Sequence, residues 1–159
     1  MQEIRRGFRD FDFEFGKWRV RHRRLKERLV GCEDWEEFEG TSQTRPVLGG
    51  HGNVEDHLLQ FPSGPYRAIA LRSFDAEAQT WAIWWLSAND PHQLEVPVIG
   101  AFKDNTGTFL AADTLRGASI SVRFLWLKTD TDTPRWEQAM SRDDGATWET
   151  NWTMDFERT

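Results

Sequence analysis

The residues of this chain best suited to chemistry stand in its first half. His51, Asn53, Glu55 and His57 alternate with Gly52, Val54 and Asp56. On an extended strand alternate side chains share one face, so a strand over residues 49–61 brings these four together. Two imidazoles and a carboxylate on one face suit metal ligation or proton transfer. The His51-x5-His57 spacing matches no recognised metal motif, and no cysteine or fourth ligand stands nearby, so no metal is assigned. Arg72 lies on a mostly apolar run, where a cation needs a partner. That partner is an internal acid such as Glu55, the favoured reading, or a ligand carboxylate.

Other routes to catalysis lack support. There is no G-x-S-x-G string, and Cys32 stands among acids rather than the bases that activate a thiol. Glu36 and Glu37 fall on opposite faces of a strand and cannot act on one bond together. Gly49-Gly50-His51-Gly52 lacks the Lys-Ser/Thr of a P-loop. It reads as a bend or bulge where a strand begins. No catalytic residue is assigned.

The elements that must position these groups are strands. Trp18, Val20 and His22 share one face, and Arg19, Arg21 and Arg23 the other. Trp81, Ile83 and Trp85 alternate with Ala82, Trp84 and Leu86, so that strand is apolar on both faces. Ile120, Val122, Phe124 and Trp126 form another inward set. Turn signals such as Asn89-Asp90-Pro91 and Asp104-Asn105-Thr106-Gly107 punctuate the runs. The pattern predicts an all-β fold, a single antiparallel up-and-down barrel of about 8–10 strands spanning residues 1–159. A short helix is predicted near the N-terminus, over residues 4–10.

Two local features fix pairings. Residues 17–28 are strongly basic and residues 33–39 strongly acidic, with Val30-Gly31-Cys32 between them. An antiparallel hairpin sets one against the other, so the basic run reads as a paired, solvated strand face rather than a phosphate-binding stripe. Ser141-Arg142-Asp143-Asp144-Gly145-Ala146-Thr147-Trp148 matches the Asp-box. In a chain too short for a propeller its content is structural: Asp143 accepts backbone N–H bonds, Gly145 takes positive φ, and Trp148 packs under the loop. It predicts a hairpin joining strands centred on Gln138 and Thr150.

Composition narrows the function. The net charge of −6 argues against nucleic acid, and no apolar run approaches a membrane helix. One cysteine makes no internal disulfide, and residues 1–11 lack the apolar core of a signal peptide. A cytoplasmic protein is the default expectation. Nine tryptophans serve mainly as core, with some left to line a ligand site.

Phe13-Glu14-Phe15-Gly16-Lys17-Trp18, the string over residues 24–53 and the closing Trp148 to Arg158 resemble a family of small bacterial domains similar to the calycins, which include lipocalins and fatty-acid-binding proteins. The resemblance spans nearly the whole chain. It implies a barrel with a central cavity and no particular reaction. It also implies that Trp18 packs beneath the Arg158 guanidinium at the seam. Nitrobindin, a heme-binding barrel, is a related comparison. Its glycine-rich extension after the tryptophan is absent here, and no histidine follows His92, so neither heme nor any other cofactor is predicted.

The leading expectation is a binding protein for a small apolar or aromatic molecule with a polar head group. Its pocket set is His22, Asn53, His57, Arg72, Trp84, Trp126, Gln138 and Asn151. Ser42 and Thr44 share the polar interior. The alternatives are a lyase or isomerase using a His/Arg cluster, ranked behind binding, and a homodimeric module paired through the outer face of the strand over residues 80–87.

Overall fold

The computed structural model describes residues 7–159. Ten strands form one closed barrel: β1 (Gly16–Leu25), β2 (Trp35–Val47), β3 (Gly52–Phe61), β4 (Gly64–Asp75), β5 (Thr80–Ser87), β6 (Val98–Lys103), β7 (Thr106–Leu115), β8 (Ala118–Leu127), β9 (Arg135–Ser141) and β10 (Glu149–Arg158). Each strand pairs antiparallel with its sequence neighbours, and β1 pairs with β10 to close the ring. The described residues contain no helix long and apolar enough to cross a membrane.

The helix anticipated over residues 4–10 falls partly outside the described residues. Residues 7–11 form turns, and one 3-10 turn follows at Asp12–Glu14. Phe11, Phe13 and Phe15 follow a period of two, the spacing of extended chain that leads directly into β1. The segment works as a plug. Phe11 is buried edge-on to Trp81 and Phe102, with ring centroids 5.0 and 4.8 Å away. Burial of a phenylalanine is worth about 1.5–3 kcal/mol. The Trp81 Nε1–H donates to the Gly7 carbonyl at 3.0 Å, fixing the plug to β5.

Charge and alternation set the first pairing as expected. Arg21 opposes Glu39 and Arg23 opposes Glu37 across β1 and β2. The Arg23–Glu37 and Lys26–Asp34 pairs close to 3.6 and 3.2 Å in solvent. Exposed pairs of this kind contribute no more than about 1 kcal/mol. Trp18, Val20 and His22 turn inward and are buried.

The Asp-box is the hairpin between β9 and β10, with Thr150 opposite Ala139. Asp143 accepts from the Thr147 N–H at 2.8 Å, the Thr147 hydroxyl at 2.5 Å and the Ser141 hydroxyl at 2.7 Å. These bonds, those of Thr147 foremost, hold the Asp143 carboxyl down to about 2. Gly145 has φ +87°, and a Cβ there would press on the Trp148 ring at 3.3 Å.

At the seam, the Arg158 guanidinium lies 4.0 Å from the Trp18 ring centroid. It donates to the carbonyls of Phe15 at 2.7 Å and Phe13 at 2.8 Å. One side chain therefore ties β10 to β1 and to the plug. A cation–π contact near solvent contributes roughly 0.5–1 kcal/mol and each hydrogen bond about 1 kcal/mol. Arg158→Ala is expected to cost about 2 kcal/mol, read as a lower urea midpoint at unchanged slope. An unchanged midpoint would mean that backbone pairing alone closes the ring.

Candidate functional site

Two polar regions occupy the barrel interior, and they differ in depth. The deeper one is built from β3 and β4. Asn53, Glu55 and His57 face inward, as predicted, and Arg72 opposes Asn53 across the β3–β4 pairing. Arg72 donates through Nη1 to Asn53 Oδ1 at 2.9 Å and through Nη2 to Glu55 Oε1. His57 Nε2 faces Glu55 Oε2 at 3.2 Å. The Arg72 partner is thus the internal acid. Its guanidinium also lies 4.7 Å from the Phe11 ring centroid and 5.5 Å from that of Trp126, so the ionic cluster sits against the aromatic plug.

Glu14 enters this region from the plug. Thr44 Oγ1 donates to Glu14 Oε2 at 3.0 Å, and Trp18 Nε1–H donates to the Glu14 carbonyl at 2.8 Å. Burial, reinforced by the charge of Glu55, raises the Glu14 carboxyl well above its usual range. Glu55 behaves oppositely: burial alone would raise it, but His57 and Arg72 together hold it below. Two buried carboxyls thus divide the roles of acid and anion.

His51 does not join the others. It ends the 3-10 turn Leu48–Gly50, before β3 begins, and stacks on Phe8 at 5.4 Å near the plug. Gly49 and Gly50, at φ +64° and +96°, make the bend expected there. Because the chain turns before Gly52, the period-2 face starts at Asn53.

His22 lies between the two regions. Its ring stacks on Phe38 at 4.7 Å, and Nδ1 accepts from Trp152 Nε1–H at 3.1 Å. The neutral ring therefore carries its proton on Nε2. Gly40 makes room for that nitrogen, since a Cβ at Gly40 would lie 3.2 Å from it. Burial, with help from the charge of His57, pushes His22 down to about 3.

The second region is an open cup of about 890 Å³ at the end opposite the plug. Phe61, Tyr66, Trp85, Phe124, Trp136 and Trp152 provide its aromatic wall. Gln138 lines it and donates to Asn151 Oδ1 at 2.8 Å. Asn151 is buried because the β9–β10 register shifts between Thr150 and Trp152. Such a bulge turns two successive residues inward. Below the cup, a void of about 20 Å³ touches Glu55, His57 and Arg72 and shares Trp85, Phe124 and Trp136 with the cup. That is room for about one water.

The predicted pocket set therefore divides. Gln138 reaches the cup, while Asn53, His57, Arg72 and Trp126 belong to the deeper layers. Trp84 is a correction. On β5, Trp81 and Ile83 are buried, Trp85 lines the cup, and Trp84 opposes Leu71 on the outer face. A strand apolar on both faces offers no sign of which tryptophan turns inward. The sequence reading also missed Arg24 and Arg28 at the cup mouth. Arg24 shares the parity of Trp18 and His22, and that parity was the available signal. Compared with known families and curated proteins, the chain matches none of them.

The deep layer and His22 each generate a prediction. Glu55→Gln leaves Arg72 uncompensated and is expected to destabilise by roughly 3–5 kcal/mol. Glu55→Met combined with Arg72→Met should cost less than Glu55→Gln alone, since an apolar replacement removes the stranded charge. Denaturant melts of both variants check this, and a double variant worse than the single one contradicts it. The second concerns pH. His22 in the folded state takes up its proton only near pH 3, whereas the unfolded imidazole does so at about 6.5. Its stabilising contribution is complete above pH ~6.5 and is lost as pH falls toward 3. His22→Asn is expected to flatten that acid limb of the stability curve, and an equally steep limb in the variant would assign it to other groups.

Proposed function

We propose that this protein binds a small molecule with an apolar or aromatic body inside the open end of the barrel. The observation that carries the reading is the cup itself: about 890 Å³, floored and walled by Trp85, Phe124, Trp136 and Trp152. Ligand cavities typically enclose roughly 300–1,000 Å³ behind apolar walls and a few polar groups. The aromatic rings pack edge to face, Trp136 on Trp152 at 5.5 Å and Phe124 on Trp136 at 4.9 Å. Such mutual support keeps a wall in place before a ligand arrives, which lowers the ordering cost of binding. A barrel closed at one end and cupped at the other also supports the calycin-like reading.

Catalysis stands second. Glu55, His57 and Arg72 do converge, as a His/Arg chemistry requires. Their charges are spent on one another, however, and the adjoining void holds about one water. A substrate would have to displace the Trp85–Phe124–Trp136 layer to reach them.

The test uses the uncharged dye N-phenyl-1-naphthylamine, whose emission rises in apolar surroundings. Saturable binding at one site per chain is expected. Met140→Trp, which puts an indole into the cup, should weaken it at least tenfold while far-ultraviolet circular dichroism is unchanged. Unsaturable emission, or equal affinity in a folded Met140→Trp protein, would overturn the reading.

A further inference from the structure

The cup mouth holds two guanidiniums that close no hydrogen bond or ion pair among the described residues, although Glu36, Glu95 and Glu149 act on them at longer range. Arg24 stands near the end of β1 and Arg28 in the loop that follows. Both are half-buried. Among the described residues, neither donates a side-chain hydrogen bond, neither lies within 4.0 Å of a carboxylate, and the Nε of each is buried without a partner. The Nε of Arg72 and of Arg123 is also buried without a partner, but two arginines of the barrel have carboxylates that Arg24 and Arg28 lack. Arg135 donates to both oxygens of Asp155 at 2.8 and 2.9 Å and to Glu137 at 2.8 Å. Arg72 is held by Asn53 and Glu55.

An unpaired cation removed from water carries an uncompensated cost. Here two share one mouth. Burial, and after it the charge of Arg24, pushes Arg28 down to about 10. The Arg24 guanidinium lies 5.0 Å from the Trp152 ring centroid and 5.7 Å from that of Phe61. Both rings wall the cup. Positive charge therefore adjoins the apolar wall, where the head of a seated molecule would come to rest.

Carboxylates are also present at the mouth. Glu36 opposes Arg24 across the β1–β2 register without closing to an ion pair. Glu95 is exposed, and Asp113 accepts from the Thr114 N–H at 2.7 Å. Partial burial, and after it the charge of Asp113, raises the Glu95 carboxyl above its usual range, and Asp113 already has a donor, so neither requires a ligand. The half-buried guanidiniums do.

We propose that Arg24 and Arg28 together capture an anionic oxygen group, of the carboxylate or phosphate kind, on the molecule whose body fills the cup. This rests on the cup being a ligand site. Guanidinium forks match such oxygens in pairs, and a second arginine beside the first favours a fully charged group over a neutral acceptor.

Three fluorescent probes separate the claims. Each carries a dansyl ring on the same five-carbon chain, ending in a methyl, a carboxylate or an ammonium. Energy transfer from tryptophan to dansyl reports binding. The carboxylate probe is expected to bind at least tenfold tighter than the methyl probe, and the ammonium probe no tighter than the methyl one. Arg28→Gln should cut the carboxylate advantage to within about twofold while leaving the methyl probe unchanged, which also shows the variant folded. Arg28→Lys should keep part of it. Equal binding of the carboxylate and methyl probes sinks the anion assignment and leaves the cup reading standing. So does an advantage that survives both Arg24→Gln and Arg28→Gln. If none of the three probes binds, the cup is not a ligand site and both readings fall together.

Discussion

Everything in this molecule depends on β1 reaching β10. The pairing runs from Trp18 opposite Arg158 to Arg24 opposite Trp152. It turns a ten-strand ribbon into a ring with no free edge, which removes the liability that open sheets carry. Closure also creates an inside, and the alternation of every strand then decides what fills it. Arg158 secures the seam where it meets the plug, by stacking on Trp18 and capping the carbonyls of Phe13 and Phe15. A cation is well suited to this post, since it satisfies backbone acceptors at a turn and covers an indole face with one planar group.

The interior is layered along the barrel axis. The plug end is aromatic, with Phe11 at its centre. The middle belt is ionic, with Glu14, Glu55, His57 and Arg72. The far end is the aromatic-walled cup. A buried ionic belt is poor evidence for stability, because desolvation offsets most of the attraction. Its consequence for the architecture is clearer. Arg72 reaches Glu55 on β3 from β4 and touches Phe11 on the plug, so the plug, the sheet and the cup floor share one fixed arrangement.

Much of this was legible because a barrel reads like its strands. Trp18, Val20, His22, Ser42, Thr44, Asn53, His57, Arg72 and Gln138 all turn inward by parity alone. The β1–β2 hairpin followed from countercharge, and the Asp-box hairpin from turn chemistry. Failures occurred where parity is silent or broken. Trp84 and Trp85 both sit on a strand apolar on each face, so only the closed ring decides between them. His51 lies on the wrong side of a bend that Gly49 and Gly50 impose. Asn151, by contrast, was expected inside and is buried, through a bulge rather than by alternation. Arg24 was hidden in a different way. It belongs to a basic run whose Arg21 and Arg23 face solvent opposite Glu39 and Glu37, and the majority obscured the member that turns toward the cup.

That same contrast locates where function can lie. In the ionic belt each charge already has an answer: Glu55 binds Arg72 and His57, and Glu14 meets Thr44. Charges so paired hold position well and meet a visitor poorly, because in a low-dielectric interior a newcomer competes with the pairs already made. At the mouth the condition is reversed. Arg24 and Arg28 are desolvated far enough to need a partner and are left without one, beside rings with faces open to the cup. Folding supplies the partners of the belt. At the mouth, folding closes no ion pair on either guanidinium among the described residues, and this asymmetry separates the two polar clusters of the barrel.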